Sequence, residues 1–183
     1  MPFWRTSDKT KDILNRYLDH HFYVAAAGAN APSKSDLNAL GRRLGCRFPP
    51  EFIAHSTGAL GGAYIEVKEE FWPRPKIYDV APFWTFLYAL YVFGATPDIP
   101  EWMDLERQAL KFREERELSL VPCLKLVGDA DLYLFTSEGS IVQWEHESND
   151  VRSFDGNFFD LFEREVQQLR DRKDKKLAAR DDI

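Results

Sequence analysis

Four histidines, two cysteines and a pair of closely spaced aspartates hold most of this chain's capacity for chemistry. A chelating histidine pair on a helix needs i, i+4 spacing. His20 and His21 are instead adjacent, and neighbours in a helix point about 100° apart. His55 lies in a short predicted helix, near its C-terminus, where a positive charge is mildly favoured. His146 stands between Glu145 and Glu147. In a strand over residues 141–147, Val142, Trp144 and His146 share one face and the two glutamates the other. Asp129 and Asp131 sit in GDAD without the further oxygen ligands of a calcium loop, so they read as turn residues. Cys46 and Cys123 are far apart in sequence and read as buried free thiols, with one disulfide as the alternative. No GxSxG, HExxH or CxxC motif occurs. The expectation is therefore no catalytic residues, no metal and no cofactor.

The stretch LGCRFPPEFIAHSTGALGG raises the question of a phosphate loop. A P-loop and a dinucleotide loop both run strand, glycines, helix. Here the order is helix, glycines, strand. Gly45 reads as a helix stop, Pro50 as the first position of a short helix, Gly58 as its end and Gly61-Gly62 as a turn.

The elements that position these residues follow from periodicity. Residues 7–22 predict a helix capped by Ser7, with Ile13, Leu14, Tyr17, Leu18 and Phe22 on one stripe. A connector over 24–33 leads to a second helix after Ser35, which carries Leu37, Leu40 and Leu44 inward. Residues 64–68 alternate as a strand, and 69–82, with three prolines, read as a loop or sheet edge. Residues 87–93 predict a strand or a short helix leading into one. Residues 100–117 predict a helix with Trp102, Leu105, Ala109 and Phe112 on its stripe. Strands over 120–127, 132–136 and 141–147 form a meander, 151–154 add a short fourth strand, and a last helix begins near Gly156. The mixed-charge tail from Arg170 reads as a solvated helical extension or a frayed end. Helices first, hairpin-linked strands next and a closing helix last make an α+β order, in one domain over 1–183.

Composition narrows the function classes. The chain is 44% hydrophobic and 14% aromatic, enough for a real core. A net charge of −6 disfavours nucleic acid and suits a basic protein partner. No apolar run reaches the ~20 residues of a membrane span, and the opening MPFWRTSDKTKD lacks the pattern of a signal peptide. A cytoplasmic protein without membrane contact is expected.

Leu44, Gly45, Phe48, Pro49, Phe52, Gly61 and Gly62 form one ordered block, and Pro122, Gly128, Asp129, Gly139, Ile141, Phe154 and Phe158 a second. In this order they resemble the SUKH superfamily, the domain of yeast Smi/Knr cell-wall regulators and of bacterial immunity proteins. The similarity spans about 37–169, with a helical insertion at about 96–118 and Ala59-Leu60 where the family often has Asn before its glycine pair. The resemblance implies a central, mostly antiparallel sheet with helices packed on it and no chemistry of its own. It also implies stoichiometric binding to a partner such as a basic toxin domain, or a regulatory scaffold; an uncharacterised enzyme is the third reading. The residues expected to touch the partner are Glu69, Glu70, Trp72 and Arg74 after the first strand, and Glu145, His146 and Glu147 at the end of the meander; Phe71 and Trp72 read either as an exposed interface anchor or as ordinary packing under the loop.

Overall fold

In the computed structural model, residues 8–76 and 81–181 are described. The Ser7 cap, residues 77–80 of the proline-rich segment and the last two residues lie outside them. The fold is α+β: the described residues form one antiparallel sheet whose strands lie in sequence order, β1 to β7. They are β1 (Phe22–Ala25), β2 (Tyr64–Val67), β3 (Ala89–Val92), β4 (Val121–Leu126), β5 (Leu132–Phe135), β6 (Ile141–Trp144) and β7 (Val151–Ser153). Helices α1 (Lys9–Tyr17), α2 (Lys34–Leu44) and α3 (Pro50–Ser56) precede or interrupt the first hairpin; α4 (Leu105–Arg116) precedes β4, and α5 (Phe158–Asp181) closes the chain.

Local chemistry sets the helix ends. Asp8 caps α1 by accepting from the Lys11 amide. Ser33 and Asp36 form a reciprocal capping box on α2, and Gly45 ends that helix at φ 67°. Pro50 opens α3 where its missing N–H costs nothing. Asn157 accepts from the Phe159 and Asp160 amides, while Asp160 accepts from the Asn157 amide, so α5 starts with a second such box.

Alternation along the strands divides the core. Tyr133 and Phe135 of β5 face α5, where the Tyr133 hydroxyl lies 3.1 Å from Glu165 Oε1 and the Phe135 ring 6.4 Å from that of Phe158. Leu134 between them joins Val142, Trp144 and Phe112 beneath α4. One sheet face is thus covered by α1, α3 and α5. The other is covered by α4 over β4–β6 and by Trp102 beside Tyr91 of β3, and is open over β1 and β2.

Several expectations shift. The first helix stops at Tyr17, so His20 and His21 lie in its connector to β1, which takes residues from both the predicted helix and the predicted linker. Pro100 and the Asp104 cap divide the predicted 100–117 helix into a 3-10 turn (Glu101–Met103) and α4, which takes Trp102 off the apolar stripe and leaves it 47% exposed. β6 ends at Trp144, so Glu145, His146 and Glu147 fall in a turn rather than on alternate faces of a strand. The C-terminal segment is helical to Asp181, and Lys173 is buried there, its ammonium 2.8 Å from Asp19 Oδ2.

Gly139 tests the turn reading. It holds φ 85° in the β5–β6 turn, and a Cβ there would collide with the Arg47 carbonyl oxygen. That contact docks the turn on the loop after α2, where the Arg47 amide donates to the Ser137 carbonyl at 2.8 Å. Gly139→Ala is expected to cost about 2 kcal/mol, read as a lower urea midpoint; an unchanged midpoint would contradict the close approach.

Candidate partner-binding face

The open half of the sheet is built by register. Tyr23 pairs with Glu66 and Ala25 with Tyr64, while Tyr64 and Glu66 pair with Tyr91 and Ala89. Directly paired residues share a face, so Tyr23, Tyr64, Glu66 and Tyr91 form a shelf. Trp102 closes one side of it, its ring 5.8 Å from that of Tyr64 and 4.9 Å from that of Tyr91, both edge-on. Tyr23 and Trp102 are 52% and 47% exposed.

A polar network stiffens the shelf. Tyr64 donates to Glu66 Oε2 at 2.7 Å, and the Arg74 guanidinium lies 3.2 Å from that oxygen. Arg74 also donates to the Trp72 and Val67 carbonyls, at 2.7 Å each, and stacks 3.8 Å over the Tyr88 ring. Burial, then the bond to Glu66, pushes the Tyr64 phenol well above its ordinary range. Burial alone pushes Tyr91 up to about 12. Both are held as neutral hydroxyls.

Two hollows flank Trp102. One, of about 520 Å³, is lined by Ala25, Gly61, Gly62, Asp98, Ile99 and Met103 among others. The glycine pair is therefore a turn that also forms a cavity wall: Gly62 holds φ 60° against Gly94, letting two loops approach closely. Asn30 Nδ2 donates to Asp98 Oδ2 at 3.1 Å at this cavity. The second hollow, about 230 Å³, lies between α4 and the sheet and includes Tyr91, Lys125, Trp144 and His146. The Lys125 ammonium donates to the Asp129 carbonyl at 2.6 Å, and burial lowers its pKa.

The sequence-predicted contact residues are placed unevenly. Arg74 is on the shelf, and His146 lines the hollow beyond it, its ring 5.8 Å from that of Trp144. Glu69 and Glu70 are exposed in the turn after β2. Glu145 pairs with Arg152 at 2.8 Å, and Glu147 is exposed. The two acidic groups lie at the same end of the sheet, four strand spacings or about 19 Å apart. Trp72 takes the packed alternative and not the interface one: it is 1% exposed, with its indole N–H donating to the Thr85 carbonyl at 3.0 Å. The apolar ring finds a better site under the loop than on it. Sequence reasoning missed Tyr23 and Trp102; the one available signal was Pro100 before Trp102, a helix breaker upstream of an aromatic.

The residues best suited to chemistry lie elsewhere and are muted. Burial pushes the Cys46 thiol up to about 12 and that of Cys123 well above its usual value, so both stay protonated. His55 is buried and its pKa is lowered to about 3 by burial. Among the described residues no group of three or more His, Cys, Asp or Glu is spaced to hold a metal ion, and no helix is long and apolar enough to cross a membrane. What the shelf offers is rigid aromatic area with a fixed polar centre, a surface for contact.

Compared with known proteins, the chain matches no family profile, no curated protein and no solved structure.

Proposed function

We propose that this is a non-catalytic protein-binding domain of the SUKH type, acting as an immunity protein that neutralises a basic toxin domain by stoichiometric binding. The observation that carries the reading is the open aromatic half of the sheet, with Tyr23 and Trp102 exposed around the Glu66–Arg74 pair. Aromatic anchors on a rigid frame bind at low entropic cost. The occupant is a basic protein surface: the chain carries −6 net charge, and Asp98 and Glu66 place carboxylates at the rim and centre of the face. The element order, with the helix ending at Gly45, the short α3, the Gly61-Gly62 turn, the meander and the closing helix, agrees with what the resemblance implies.

Co-purification from the native host with mass spectrometry identifies the partner, and calorimetry with the purified pair reads the stoichiometry. A one-to-one complex is expected, weakened by about 2–4 kcal/mol in the Tyr23→Ala/Trp102→Ala double variant. Unchanged affinity in that variant would remove the shelf from the interface. A partner whose activity persists in the saturated complex would refute neutralisation and favour a scaffold.

A further inference from the structure

A third hollow lies on the opposite side of the sheet from the shelf, against the C-terminal half of α5. It measures about 400 Å³ and is lined by Trp72, Trp84, Arg172, Lys175, Lys176 and Ala179. Trp84 presents an exposed indole to it, backed by the buried Trp72 ring, and among the described residues every charged side chain of the lining is a cation. This is local charge reversal in a chain whose net charge is −6.

Neighbouring cations on α5 are internally satisfied. Arg170 binds Asp171, and Lys173 binds Asp19 and Asp174. Lys175, which lines the hollow, has no ion-pair partner among the described residues. Arg172 Nε donates to the Leu87 carbonyl at 3.2 Å, but its Nη2 is buried with no hydrogen-bond partner. Burial lowers the Arg172 pKa, against the opposing pull of the Glu165, Asp129 and Asp171 carboxylates. The Lys176 ammonium lies 5.0 Å from the Trp72 ring centroid and 5.5 Å from that of Trp84, so one cation spans both walls. The Trp72 N–H is already used by Thr85, which leaves its ring for packing. Trp84 is 54% exposed, an indole held at the mouth rather than in the core.

We infer that this hollow is a binding site for a small aromatic anion, a flat ring bearing a phosphate or carboxylate. The ring packs against the exposed Trp84 indole, and the head group meets Lys175 at the cationic wall. A volume of this size suits such a molecule. Aromatic area supplies affinity, and the cations supply charge-assisted bonds and orientation.

Phenyl phosphate is the probe, titrated into the full chain and followed at the Trp84 indole N–H by NMR. Saturable shifts centred on Trp84 are expected, with inorganic phosphate and benzyl alcohol each weaker by about tenfold or more, since each lacks one half of the recognition. Trp84→Ala and Lys175→Glu, both at exposed positions, are each expected to weaken phenyl phosphate by about tenfold with the thermal midpoint unchanged. Equal binding of inorganic phosphate, or variants that bind as the wild type does, would overturn the site. Binding to anionic phospholipid vesicles, or to an acidic peptide, with none to phenyl phosphate would overturn it too and assign the patch to a surface contact. Because Tyr23 and Trp102 are not in this hollow, its failure leaves the partner-binding proposal standing, and the reverse.

Discussion

Replacement of Phe52 by alanine is expected to destabilise the protein by about 3–5 kcal/mol. Phe52 has no exposed surface, and its ring contacts three others from separate parts of the chain. Its centroid lies 5.3 Å from that of Phe48 before α3, 4.9 Å from Phe135 on β5 and 5.2 Å from Phe158 at the start of α5. Truncation leaves a void where helix, sheet and closing helix meet, and none of the three can move in to fill it without abandoning its own packing. The measurement is urea unfolding: a lower midpoint with an unchanged slope. A loss below about 1 kcal/mol would mean that the junction repacks freely. Because Phe158 shares the cluster, the Phe52→Ala and Phe158→Ala effects should fail to add.

The second large effect is acid sensitivity through His55. Its ring is buried between Phe158 and Phe162, at 5.2 Å from each, and its Nδ1 lies 3.0 Å from the Thr10 hydroxyl of α1. Nε2 is buried without a partner. Burial lowers the pKa from 6.5 to about 3 in the folded state. Below 6.5 the unfolded chain therefore binds a proton that the folded protein refuses. Unfolding is favoured as pH falls, and this contribution keeps growing until the folded pKa is reached. Over about two pH units below 6.5 the loss is roughly 2–3 kcal/mol. His55→Gln, which keeps a polar group near Thr10 without a titrating ring, should flatten the dependence of the urea midpoint on pH in that window. An equally steep dependence in the variant would place the acid sensitivity elsewhere.

The parts of the fold that were legible in the sequence are those set by neighbours in the chain. Gly45 at positive φ, Pro50 at a first helical turn and the glycine turns of the meander each act through their own backbone torsions or through hydrogen bonds a few residues away. The α+β order followed from them. Boundaries slipped where two local signals competed. Phe22 fits the apolar stripe of α1, yet pairs with Val67 as the first residue of β1. Trp102 has helical spacing to Leu105 and Ala109, yet Pro100 and the Asp104 cap remove it from the helix.

The candidate site was less legible, because exposure is a property of the assembled sheet. Sequence alone determined an acidic, aromatic-rich chain with an α+β succession of elements and histidines and cysteines in no recognised reactive spacing. Tertiary structure alone decided which aromatics face water. It buried Trp72 and left Trp102 out, tied Arg74 to Glu66, and set Lys176 of a charged helix over two indoles. A side chain's burial depends on the surface packed against it from far along the chain, here α4 covering one half of a sheet face and leaving the other open. Residue spacing within one element carries no record of that choice.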